Sequence, residues 1–142
     1  MIPLRAPLRR ATATLGLLAG CTPSPSPRQA QQERERIVSV TTVGALVADA
    51  WRARTVPDAY AGYTLEKLGR EVGQAAASPA WNALPAPSRE RMRAAIDQIS
   101  RLAGKMDSAV SRGDREALGA LRERLIAERG VLQAVPVDTT AP

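Results

Sequence analysis

The chain has 142 residues, with 20 Lys or Arg, 14 Asp or Glu, a single Cys and no His. Without imidazole and with one thiol, zinc, copper and haem sites built on those ligands are excluded, as are triads relayed through histidine and any internal disulfide. A formal charge of +6, spread among acids with no aromatic or polar readers beside it, does not make a nucleic-acid site.

Arg5, Arg9 and Arg10 form a basic head, and Ala11 to Ala19 a short apolar core, in the order of a secretory leader. The core has about half of the roughly 20 apolar residues that a membrane span requires, and Gly16 and two threonines interrupt it. Leu18-Ala19-Gly20-Cys21 then sets the single cysteine directly behind small residues. That stretch resembles the lipobox of bacterial lipoproteins. The resemblance implies removal of residues 1–20, a diacylglyceryl thioether on Cys21 and attachment to the membrane through that lipid. Two or three acyl chains make such attachment effectively permanent, whereas one gives only marginal binding. Thr22 stands where an aspartate retains proteins of that family in the inner membrane, so the resemblance implies an outer-membrane position facing the periplasm. Composition alone also permits an ordinary secretory leader followed by an incidental cysteine. Loss of the leader takes three of the 20 basic residues and leaves 17 against 14 acids, a net charge of +3.

Residues 21–32 read as a flexible tether. Thr22 to Pro27 alternates proline with small polar residues and favours extended polyproline II, and the polar Arg28 to Gln32 continues the spacer, about 30 Å in all at ~3.1 Å per residue. A first helix is predicted from about Glu33 to Arg54, with Ile37, Val40, Val43, Val47 and Trp51 on its inner face. Pro57 ends it. A second, from Asp58 or Thr64 to Ala77, turns Tyr60, Leu65, Leu68, Val72 and Ala76 inward. Between Pro79 and Pro87, one helical turn carries Trp81 and Leu84 as a plug for the end of the bundle. Ser88 is the expected cap of a third helix with Met92, Ala95, Ile96, Ile99, Leu102, Ala103, Met106, Ala109 and Val110 inside. Gly113 stops it, and Asp114 caps a fourth helix from Arg115 to about Gln133, with Leu118, Leu121, Leu125 and Leu132 inward. The expected fold is therefore all-α, a small antiparallel bundle of three to four helices over residues 33–134, behind the leader and tether and ahead of a disordered tail at 135–142.

The run Met106-Asp107-Ser108-Ala109 through Gly113-Asp114 to Ala117 is similar to the link between the last two helices of soluble four-helix cytochromes. Their final helix carries a haem-attaching CxxCH, where this chain reads Ala127-Glu128-Arg129-Gly130-Val131, so only the scaffold is implied and no cofactor is expected.

Four sets of residues offer candidate chemistry. Cys21 is the lipid attachment site implied by the resemblance. Trp51, Tyr60 and Trp81 are candidates to line a pocket for an apolar ligand, against the alternative that they fill the core. Glu128 falls where the inner seam of the last helix calls for an apolar residue, and either faces a cavity with an arginine partner or swings to a wet edge. Asp97 and Asp107 are carboxylates ten residues apart on one helix, too far apart to act on one substrate atom, so no enzymatic activity is expected. Methionines 92 and 106 read as core filling. The arginines of the last two helices interleave with acids as a solvated, salt-bridged surface. The expectation is a membrane-anchored lipoprotein of the cell envelope, non-catalytic, serving as a structural accessory or binding another envelope protein. The alternative is a carrier or sensor of an apolar small molecule held between the helices.

Overall fold

Ser26 starts the first helix. In the computed structural model, which describes residues 23–138, its hydroxyl accepts from the backbone N–H of Gln29 while the Gln29 side chain accepts from the N–H of Ser26. This reciprocal capping satisfies two donors that a helix start would leave open, and Pro27 follows at the one helical position where a missing N–H costs nothing. Helix α1 therefore spans Pro27–Arg52. The expected tether is corrected on this point. Residues 27–32 are the first turns of α1, with Ala30 fully buried, and the prolines before them mark a helix start.

Helix α2 covers Asp58–Ala75, a single 3₁₀ turn Pro79–Ala83, helix α3 Ala86–Ser111 and helix α4 Arg115–Ala134. The four helices run up and down, α1 and α3 each packing on both α2 and α4 and meeting only slightly across the diagonal. No strand occurs among the described residues. An all-α antiparallel bundle is thus what these residues build, and at ~1.5 Å rise per residue α1 and α3 are each about 39 Å long.

All nine inward positions predicted for α3 are buried, from Met92 to Val110. Gly113 takes a positive φ of 68° at the turn, and the Asp114 carboxylate accepts from the N–H of Ala117 at 2.9 Å to open α4. Ser88 is not the cap of α3. That helix begins at Ala86 behind Pro85, with Pro87 in its first turn, so prolines remove the donors that a serine would have satisfied. Trp81 and Leu84 plug the bundle end as expected, and the Trp81 indole donates to the carbonyl of Ala75 at 2.7 Å.

The inner face of α1 is rotated from the predicted one. Thr41, Gly44, Ala45 and Ala48 join Ile37, Val47 and Trp51 inside, Val40 is half-buried, and Val43 points to solvent. A Cβ on Gly44 would stand 2.3 Å from Leu68 Cδ2, so the two helices touch where the sequence offers no side chain. On α2, Ala61, Leu65, Leu68, Val72 and Ala75 line the core; Tyr60, predicted inside, is exposed, and Ala76 is only half-buried. Leu121 on α4 is half-buried, packed against the edge of the core, and Gly119 is buried beneath the Arg52 guanidinium.

The C-terminus beyond α4 is not loose at its start. Val135 is buried, Val137 packs against the core, and Arg34 of α1 donates to the carbonyl of Val135 at 2.6 Å and to that of Gln133 at 3.2 Å. The remainder of the expected tail, residues 139–142, lies outside the described residues.

Candidate functional site: an uncharged face on helices α1 and α2

Cys21 and the leader lie outside the described residues. Five residues, Thr22 to Ser26, separate that cysteine from the first residue of α1 in the sequence. Pro23 and Pro25 lie by the 3₁₀ turn, lining with Gln29, Glu33 and Asn82 an open hollow of about 840 Å³.

The three aromatics proposed for a pocket do not meet. Trp51 is buried at the end of the bundle where α1 stops and α2 and α4 begin, its indole donating to Asp58 at 2.7 Å and its ring covered by the guanidinium of Arg115 at 4.6 Å. Trp81 closes the opposite end. The rise of α2 between their partners Asp58 and Ala75 separates the two by about 26 Å. Tyr60 faces outward. Both tryptophans fill core volume with satisfied N–H groups, the usual role of aromatics in a small helical interior.

Glu128 is partly exposed in an open groove of about 520 Å³ between α3 and α4, opposite Arg91 and Arg101, and makes no ion pair among the described residues. Asp97 is exposed on the outer side of α3, and the Asp107 carboxylate lies against Gly62 of α2. Among the described residues no group of three or more Cys, Asp or Glu side chains is placed to hold a metal, and no helix is long and apolar enough to cross a membrane.

Charge is distributed very unevenly over the bundle. Arginines of α4 tie it to α1: Arg122 pairs with Asp49 at 2.8 Å and Arg129 donates to Thr42 at 2.9 Å. The hydrogen bond to Glu123, then that to Asp49, holds the Arg122 guanidinium above its ordinary pKa, and Glu33 does the same for Arg36. By contrast, α1 carries no charged residue from Ile37 to Ala48, nor α2 from Ala59 to Leu65. Helix α1 packs chiefly on α2 and α4, with the 3₁₀ turn beside it, and keeps a free outer face. On that face Val43 is 48% and Leu46 62% exposed, and on α2 Tyr60 is 52% and Tyr63 61% exposed. Of the five large apolar side chains that are exposed among the described residues, these four share the outer side of one helix pair; the fifth, Val131, lies in the α3–α4 groove. Monomeric bundles usually put charge on such a face. The signal was present in the sequence as two charge-free runs, in a chain that is 24% charged.

The chain matches no protein-family model, no curated protein and no solved structure.

Proposed function

We propose that this chain is an acylated lipoprotein of the bacterial cell envelope whose helical bundle is a non-catalytic interaction module, docking through the outer face of α1 and α2. The observation that carries the reading is the uncharged, apolar surface of Val43, Leu46, Tyr60 and Tyr63. Leaving such side chains in water forgoes ~25 cal/mol per Å² of apolar area, a cost that burial against a partner removes. The anchor rests on Leu18-Ala19-Gly20-Cys21 and on the short run between that cysteine and α1. Thr22 favours the outer membrane, with the bundle in the periplasm.

Two experiments test the two parts. Mass spectrometry of the protein extracted from membranes should find residues 1–20 gone and acyl chains on Cys21; a bare thiol, or a retained leader, overturns the anchor. Leu46→Arg should abolish the bundle's association with its partner while leaving helicity and unfolding unchanged. Association undisturbed by that charge overturns the docking reading.

A second reading, a carrier of an apolar molecule, is supported by the α3–α4 groove, whose floor of Ala94, Ala95, Val131 and Val135 lies within the usual ~300–1,000 Å³ of ligand sites. Saturable binding of a fluorescent fatty acid, lost on Val131→Arg with helicity unchanged, would favour it. A linear, non-saturating response would remove it.

A further inference from the structure

The charge pattern at the two ends of the α1 stripe names what covers it. Along the outer side of α1 the steps of three and four residues run Glu35, Ser39, Val43, Leu46, Ala50, and the turn beyond the helix presents Arg54. Glu35 accepts only from Gln31 of its own helix, and neither Glu35 nor Arg54 makes an ion pair among the described residues. Arg54 is also the one described non-glycine residue with a positive φ, 61°, at a helix end where the N–H of Thr55 reaches back to the carbonyl of Ala50. Glycine is the usual occupant of that position, because an L side chain there is strained. An arginine therefore stands, exposed and unpaired, at a place where its backbone is disfavoured.

We infer that the α1–α2 face docks on a second copy of this chain, the two α1 helices lying antiparallel about a two-fold axis that passes between Gly44 and Ala45. This deepens the interaction reading above and rests on it, though not on the lipid anchor. The axis maps residue 43 onto 46, 39 onto 50 and 35 onto 54. Val43 of each copy then meets Leu46 of the other, the small Ser39 and Ala50 let the backbones approach, and Glu35 pairs with Arg54 at both ends. The same patch is self-complementary, as an isologous interface requires. A parallel arrangement would instead set Arg54 against Arg54. On the α2 side Tyr60 and Tyr63 flank the Arg54 end of the seam, and the Lys67–Glu71 ion pair borders its middle as a polar rim. At ~1.5 Å per residue and about 10 Å per helix, α1 and α2 offer a projection of about 27–39 Å by about 20 Å, on the order of the ~800 Å² per partner of a stable complex.

The test uses the full chain, expressed from its own leader and extracted in detergent. Sedimentation should show a dimer, and cysteines placed at Val43 and Leu46 should cross-link the copies on mild oxidation. Glu35→Arg and Arg54→Glu should each weaken the dimer about tenfold, since each turns two attractions into repulsions. The double variant should restore association to within about threefold of the parent. Leu46→Arg, which buries two charges in the centre, should weaken it about a hundredfold or more with the helical circular-dichroism signal intact. A monomer at every concentration, or a dimer indifferent to Leu46→Arg, overturns the inference, as does a double variant no better than the singles. If the chain is monomeric and Leu46→Arg releases a different envelope protein, self-association fails while the reading of α1 and α2 as the contact surface stands.

Discussion

The outer side of the α1–α2 pair and that of the α3–α4 pair are built from the same kind of amphipathic helix and end in opposite surfaces. On α3 and α4 the outward positions carry Arg93, Asp97, Arg101, Glu123 and Arg124, side chains that keep their charged heads in water over an alanine-rich backbone. On α1 and the first two turns of α2 the same positions carry Ser39, Val43, Leu46, Tyr60 and Tyr63, and charge returns on α2 only with the pairs Lys67–Glu71 and Arg70–Glu66. Both pairs share one core, so core packing does not explain the difference. A face that remains in water gains from charge, and a face that is covered does not; the contrast is what supports the proposal that α1 and the start of α2 form the docking side.

The first way to sharpen the contrast is to show that stability resides behind both faces and not on them. Trp81→Ala empties a fully buried site at one end of the bundle and strands the Ala75 carbonyl, and is expected to cost ~3–5 kcal/mol by urea unfolding. Gly44→Ala puts a methyl group 2.3 Å from Leu68 Cδ2 on the seam beneath the uncharged face, and overpacking there is expected to cost ~1–3 kcal/mol, unless Leu68 rotates into free space. Arg54→Gly relieves the left-handed backbone, with an expected gain of about 0.5–1 kcal/mol in thermal unfolding of the monomer, while association through the α1 face weakens. Leu46→Ser, on the face itself, should change unfolding by less than about 0.5 kcal/mol. A large loss of monomer stability in that last variant would mean that Leu46 serves the bundle and not a partner.

The sequence was most legible where large apolar residues recur without interruption. Helix α3 has a Met, Ile, Leu or Val in every inner turn, and all its inner positions were read correctly. Helix α1 was misread because Gly44, against Leu68 of α2, and the buried Ala45 and Ala48 have too little side chain to register as an inner face, while Val43 is apolar and outside. Close approach of two backbones removes the very side chains by which periodicity is recognised. The start of α1 was hidden differently. Alternating Pro and Ser suggest an extended chain until the Ser26–Gln29 pair is seen as a reciprocal cap. Tyr60 was assigned to the core for its apolar ring, and its hydroxyl end is better served at a half-wet interface. The candidate surface itself was legible only as missing charge, which a search for catalytic or metal-binding residues does not find.

The two tyrosines of the chain both stand on α2 beside the uncharged stripe, so tyrosine chemistry reports on this surface and on no other. Nitration by tetranitromethane, compared between intact envelopes and the same protein diluted in detergent, measures its coverage directly. Protection of Tyr60 and Tyr63 in the envelope, lost on dilution and absent in Leu46→Arg, is the predicted result. Equal and rapid nitration of both tyrosines in every state would contradict a covered face.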